Sequence, residues 1–257
     1  MIPREDIIAW GVDHPWAELD QIEQDLLLSQ AICEIANDDV LGNELSLRGG
    51  TAFHKFFLQK PYRYSEDLDY VRSTIGGIGD IVDRLRELGQ NLGFKTNTKI
   101  GKYPKIIWKY TASSGIGSKI KIEINTFERS PAFGYYFIKH DVDSPYYKGS
   151  ANVRTFHQEE LVATKIRALY QRSKGRDLYD IWLALSEMKL SPEKILEAFP
   201  IYRPEDITAK NSIDNLHAKL IDKQFTTDIN NLIRRDAPEY DVQQAGEYIE
   251  RELLSKL

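Results

Sequence analysis

The chain has 257 residues, 42% of them hydrophobic and 28% charged, with a single cysteine and a formal net charge of -5. This length holds one large domain or two ordinary ones, and the composition is that of a globular protein rather than a disordered one. The acidic balance argues against a surface coated with basic side chains for non-specific nucleic-acid binding, while leaving room for a local basic cleft. Cys33 alone makes neither an intrachain disulfide nor a cysteine zinc site, which fits a reducing compartment. The first residues lack the basic end and apolar run of a signal peptide, and no stretch approaches ~18 apolar residues. The expectation is therefore a cytoplasmic protein with no membrane partner.

In chain order, residues 16–37 carry an apolar stripe (Leu19, Ile22, Leu26, Leu27, Ala31, Ile32, Ile35) that predicts a helix. Residues 45–48 alternate apolar and polar as a strand, Gly49 and Gly50 break the pattern, and residues 51–58 resume at helical spacing. A phosphate fits such a break: paired glycines allow close backbone approach, and the first N–H groups of the following helix point outward with the positive end of its dipole. Residues 65–71 form a strand in which Asp67 and Asp69, two apart, leave the same face about 6.5 Å from each other. Two such carboxylates repel unless something bridges them, and magnesium carrying substrate phosphates is the usual bridge. That pairing is the chemistry of nucleotidyl transfer, in which positioning and charge neutralisation do most of the work. Arg63 and Ser65, just before the carboxylates, either bind phosphate and orient the Asp side chains or simply shape the turn.

The glycine cluster at Gly76, Gly77 and Gly79 reads as a loop into a structural helix at 80–91. Runs at 94–100, 105–111 and 119–126 predict an antiparallel meander. In the third run Ile120, Ile122 and Ile124 face the core, so Glu123 leaves the other side. It is either a third carboxylate for the metals or an exposed acid balanced by lysine neighbours across strands. Strands at 133–140 and 152–156 follow, with Tyr146 and Tyr147 between them as either base-stacking or core aromatics.

From Thr155 the pattern is helical. Thr155 and Gln158 resemble a capping box, opening a helix to residue 172 that puts Lys165 and Arg172 on one face. Arg176 opens the next helix. Asp177 is either a site residue or an ordinary acid satisfying the first backbone donors, and Asp180 lies one turn on, within reach of Arg176. Further helices are expected at 192–199, 206–221, 226–235 and 237–256.

Three motifs together resemble the AbiEii/AbiGii toxin family of nucleotidyltransferases, within the polymerase-β-like superfamily. They are Leu47-Arg48-Gly49-Gly50-Thr51-Ala52, Arg63-Tyr64-Ser65-Glu66-Asp67-Leu68-Asp69, and residues 165–172 followed by Arg176-Asp177-Leu178-Tyr179-Asp180. The resemblance covers residues 45–185. It implies an α+β fold: a nucleotidyltransferase domain (1–155) with a mixed, largely antiparallel sheet flanked by helices, and a C-terminal helical bundle (156–257) contributing basic and acidic site residues. It implies Mg2+ and a nucleoside triphosphate donor, with Gly49, Gly50 and Thr51 cradling the triphosphate and Asp67 and Asp69 holding the metals. Lys165 would bind phosphate, with Arg172 and Arg176 nearby in sequence, and Asp177 or Asp180 would complete the catalytic set. It also implies a toxin of a toxin-antitoxin pair, linked to abortive phage infection, with a separately encoded antitoxin and an RNA acceptor such as the end of a transfer RNA. The competing readings are a transferase acting on a small molecule such as an antibiotic, and a non-catalytic nucleotide-binding interaction module.

Overall fold

The computed structural model describes residues 2–257 and divides into two compact units: Met1–Ser130 with Gly134–Phe156, and Pro131–Phe133 with His157–Leu257. The first unit contains helices α1 (Arg4–Gly11), α2 (Leu19–Asn37) and α3 (Leu41–Glu44), strand β1 (Leu45–Arg48) and helix α4 (Gly49–Phe56). Strand β2 (Asp67–Arg72), helix α5 (Gly79–Asn91) and strands β3 (Lys95–Lys99), β4 (Lys105–Thr111), β5 (Gly117–Asn125), β6 (Tyr135–Asp143) and β7 (Lys148–Phe156) complete it. The strands make one mixed sheet in the order β3-β4-β5-β2-β1-β7-β6. The expected meander is β3-β4-β5, and among the described residues only the β1–β7 and β2–β5 pairs are parallel.

Alternation along the strands decides which face is core. Ile106, Trp108, Ile120, Ile122, Ile124, Leu68 and Tyr70 are all buried. Helix α5 packs on β3 and β4, where Trp108 Nε1 donates to Leu85 O at 3.1 Å, and Gly89 leaves room for the indole. Helix α2 lies along β6 and β7 and also meets α5, so one helical layer covers this face. The residues between them, Asp67, Asp69, Lys121 and Glu123 among them, point the other way. A buried ion pair ties α4 to α2, with Lys55 Nζ 2.7 Å from Asp25 Oδ1 and 2.9 Å from Ser29 Oγ. Trp10 Nε1 donates to the second Asp25 oxygen at 3.0 Å, which satisfies a carboxylate that burial would otherwise penalise.

The second unit holds α6 (Gln158–Gln171), α7 (Gly175–Ser186), α8 (Pro192–Ala198), α9 (Ala209–Leu220), α10 (Lys223–Thr227) and α11 (Val242–Glu252), with 3-10 turns at Phe199–Ile201 and Leu254–Lys256. Buried Glu160 gathers the Ala132 N–H at 2.6 Å, the Phe133 N–H at 3.4 Å and the Tyr202 hydroxyl. Lys219 donates to the Leu169 and Tyr170 carbonyls, two of the acceptors left open at the end of α6.

Three sequence expectations fail for identifiable reasons. Thr155 does not cap α6. It lies in β7 and donates to Leu47 O at 2.6 Å, while His157 stands at the N-cap without a side-chain bond. The helix expected at 226–235 is a short helix ending at Thr227 followed by turns, with Ile229 buried between them. The first long helix starts at Leu19 rather than 16, because Glu18 and Gln21 form the capping box.

Candidate active site

In the first unit the glycine turn and the carboxylate strand meet directly. β1 and β2 pair antiparallel with Arg48 opposite Asp69, so the turn leaving β1 is delivered to the Asp69 side chain. Gly49 adopts φ 78°, a conformation that favours glycine, and a Cβ there would overlap Asp69 Oδ2. Gly50 is buried, and a Cβ on it would overlap the Arg63 guanidinium and crowd Ser65 Oγ at 3.2 Å. Thr51 Oγ1 lies 2.9 Å from Ser65 Oγ and donates to Asp67 O at 2.6 Å, which fixes the start of α4 against the start of β2. Arg63 is 3% exposed and donates to Tyr64 O at 3.0 Å. Arg63 and Ser65 thus pack directly against the turn.

β5 runs parallel to β2 with Lys121 beside Asp67 and Glu123 beside Asp69. Lys121 Nζ sits 2.6 Å from Asp67 Oδ2, and Lys105 Nζ sits 2.8 Å from Glu123 Oε2. Burial works against the Lys121 charge, yet Asp67, Asp69 and Glu123 outweigh it and raise its pKa above the ordinary value. Among the described residues, no three His, Cys, Asp or Glu side chains form a ready-made metal cluster. The set does fit a hard divalent cation: Asp67 and Asp69 offer only oxygen, and Asp67 already holds an exchangeable cation in the Lys121 ammonium. The Lys105–Glu123 pair is the cross-strand lysine balance that the sequence offered for this acid, whereas Lys121 as the partner of Asp67 escaped the sequence reading, although its alternation with Ile120 and Ile122 was the available signal. A cavity of ≈ 780 Å³ opens beside Asp67, lined in part by Gln24, Lys109, Lys119 and Lys121.

The second unit assembles a different cluster. Lys165, whose side chain is 9% exposed, lies 3.1 Å from Asp177 Oδ1 and 2.9 Å from Asp180 Oδ2, both carboxylates being fully buried. Arg172 grips Asp177 with two bonds, Nε to Oδ2 at 2.7 Å and Nη2 to Oδ1 at 2.9 Å. Burial pushes the Asp177 pKa upward, but Lys165 and Arg172 overcome it and hold the carboxyl below its ordinary range. Asp180 pairs with Lys165. The Arg176 backbone N–H donates to Asp228 Oδ2 at 3.3 Å, so Asp228 rather than Asp177 serves the first turn of α7. Tyr147, one of the loop tyrosines, donates to Glu34 at 2.9 Å.

A strand-turn-helix that presses glycine against an Asp-x-Asp strand in a mixed sheet defines the nucleotidyltransferase class. The family model for the nucleotidyl transferase AbiEii toxin of type IV toxin-antitoxin systems matches residues 30–248, and the chain belongs to this family. It is a nucleotidyltransferase toxin of a type IV toxin-antitoxin system, and that membership implies an antitoxin partner. Among solved structures it is similar to MenT4, a nucleotidyltransferase toxin from Mycobacterium tuberculosis H37Rv. The identity is 16% and the TM-score 0.66, covering 100% of this chain and 91% of that one, a likeness of fold. An antigenic nucleotidyltransferase-like protein from Paracoccidioides brasiliensis aligns at 17% identity and TM-score 0.43, over 65% of this chain and 75% of its own. No curated protein matches the chain. No helix among the described residues is long and apolar enough to cross a membrane.

Proposed function

We propose that the chain transfers a nucleoside monophosphate from a nucleoside triphosphate to a hydroxyl of RNA, such as the acceptor end of a transfer RNA. The modification arrests growth in abortive phage infection until the cognate antitoxin intervenes. The observation that carries the proposal is the close approach of Gly49 to Asp69, which puts the glycine turn and an Asp-x-Asp carboxylate side by side.

In this reading the N–H groups opening α4 at Gly49, Gly50 and Thr51 receive the triphosphate, where backbone donors and the helix dipole favour negative charge. Asp67 and Asp69 hold magnesium, which when bound neutralises the triphosphate and makes the attacking hydroxyl more acidic. The hydroxyl oxygen forms a bond to the α-phosphorus, the bond from that phosphorus to the bridging oxygen breaks, and pyrophosphate leaves with the electron pair. Asp69, beside the turn, is positioned to orient the hydroxyl and take its proton. Lys121, which pairs with Asp67, would give up that pairing to a metal held there and would leave its own positive charge beside the triphosphate. The family resemblance adds Lys165 as a phosphate ligand, with Asp177 or Asp180 in the catalytic set.

The test is transfer of label from each α-labelled nucleoside triphosphate, with magnesium, into total cellular RNA, against the Asp67→Ala/Asp69→Ala variant. An RNA band labelled by the wild type and absent with the variant is the expected result. Labelling of a small molecule or of protein alone would refute the RNA acceptor, and equal labelling by both proteins would refute the site.

A further inference from the structure

The sheet registers bring together lysines that the sequence scatters over 27 positions. Lys95 pairs with Lys109, and Lys109 with Lys119, giving a transverse row of three lysines across β3, β4 and β5. Four positions along, Lys99 pairs with Lys105, Lys105 with Glu123, and Glu123 with Asp69. Between these rows, Asn97, Ile107, Lys121 and Asp67 line up in the same way. Because these positions alternate with the buried isoleucines, all three rows share the open face that carries Asp67 and Asp69.

Lys121 and Lys105 are matched by Asp67 and Glu123. The exposed Lys95, Lys99, Lys109 and Lys119 have no ion-pair partner among the described residues. Like charges directly opposite one another on neighbouring strands destabilise a sheet. Lysines that blunt an edge strand explain Lys95 and Lys99 on β3, but not Lys109 and Lys119 on the interior strands. In a chain of net charge -5, such a concentration on one face is a local field of opposite sign.

Its extent indicates the occupant. From β2 to β3 the face spans three strand spacings, about 14 Å, which carries it beyond a triphosphate seated at Gly49 and Gly50. A small acceptor needs no such field, whereas a polyanion whose end reaches Asp69 uses all of it. Just past β5, Phe127 is 59% exposed and stands edge-on to Tyr103 at 6.0 Å, with Lys102 Nζ 5.8 Å from its ring. A basic track with an exposed aromatic beside it is how single-stranded nucleic acid is held without sequence readout.

We propose that the lysine face of β3, β4 and β5 is the docking track for a single-stranded RNA acceptor, binding its phosphates so that the terminal hydroxyl arrives at Asp67 and Asp69. This rests on the transferase reading of that site and adds where the acceptor lies.

The experiment is fluorescence anisotropy of a labelled oligouridylate of about 20 nucleotides, longer than a typical ~4–16-nucleotide site, titrated at about 50 to 200 mM salt. Wild type is compared with Lys95→Glu/Lys109→Glu/Lys119→Glu, with the milder Gln series, and with Asp67→Ala/Asp69→Ala. Binding of an α-labelled nucleoside triphosphate is measured alongside, and thermal melting reports folding. The expected result is a loss of at least ~100-fold in RNA affinity for the Glu series and a smaller loss for the Gln series. The salt slope should fall by about 2, as for three lost phosphate contacts on a single strand. The aspartate variant should keep its RNA affinity, and triphosphate binding should survive in both lysine series.

Unchanged RNA affinity in a folded Glu variant overturns the track. So does a Glu variant that keeps RNA but loses binding to a labelled polyglutamate peptide, which would make the face a dock for an acidic protein. Failure of the wild type to bind triphosphate defeats the transferase reading instead, whatever the RNA result.

Discussion

Gly49 leaves no space for a side chain against Asp69: a Cβ at that position would overlap the carboxylate, and its backbone already stands at φ 78°. Gly49→Ala therefore strains the turn and displaces the Asp69 carboxylate in one step. The expected outcome is a stability loss of about 1–3 kcal/mol, from the strained backbone, together with loss of nucleotidyl transfer. Gly77→Ala meets nothing within 4 Å and should be silent in both thermal melting and label transfer. A fully active Gly49→Ala enzyme would show that the contact has no functional meaning.

Lys121 holds Asp67 at 2.6 Å and so competes with any cation that binds there. Lys121→Gln should tighten binding of magnesium or manganese, measured by calorimetry without nucleotide, because the metal no longer displaces an ammonium. Weaker metal binding in the variant would mean that Lys121 supports the carboxylate rather than competing for it.

Lys165 lies between two fully buried carboxylates, and removing one partner of a buried pair costs about 3–5 kcal/mol. Lys165→Ala should therefore lower the melting temperature of the chain as well as its activity. Adding Asp180→Asn to Lys165→Ala should restore part of the stability by removing an unpaired charge. Activity that recovers along with stability would take both Lys165 and Asp180 out of the catalytic set, and activity that stays lost in the restabilised double variant would keep at least one of them in it.

Burial, reinforced by Lys55 and opposed by Asp25 and Asp141, lowers the His140 pKa to about 4. An unfolded histidine titrates near 6.5, so between these values the unfolded chain binds more protons than the folded one. The neutral ring's contribution is complete above about pH 6.5 and is lost as pH falls toward 4, on the order of 3 kcal/mol. Denaturant midpoints between pH 7 and 4.5 should fall less steeply for His140→Met than for the wild type. Parallel curves would show that other groups carry the acid sensitivity.

Much of the site was legible because its parts are local. The glycine break and the Asp-x-Asp alternation are backbone signals a few residues long, and β4 follows from its pattern alone. What stayed illegible depends on distant pairing. Thr155 has the spacing of a helix cap, but β7 lies beside β1 and spends the hydroxyl on Leu47 O. Lys165 looks like a solvated helix face until α6 packs on α7 and two aspartates enclose it. The lysine rows exist only through the strand registers. The segment after Thr227 has apolar residues at helical spacing, yet its Ile229 is buried from a turn, and pattern alone does not separate those outcomes.

β1, which leads into the glycine turn, is flanked by β2 on one side and β7 on the other, and Leu47 pairs with Thr155 more than a hundred positions downstream. Translation delivers these neighbours in order, and contacts between remote segments close late. Until β7 has left the ribosome, β1 is an uncovered edge and the turn on its end has only one wall. The glycine turn is therefore framed on both sides only once the chain has been made as far as residue 156.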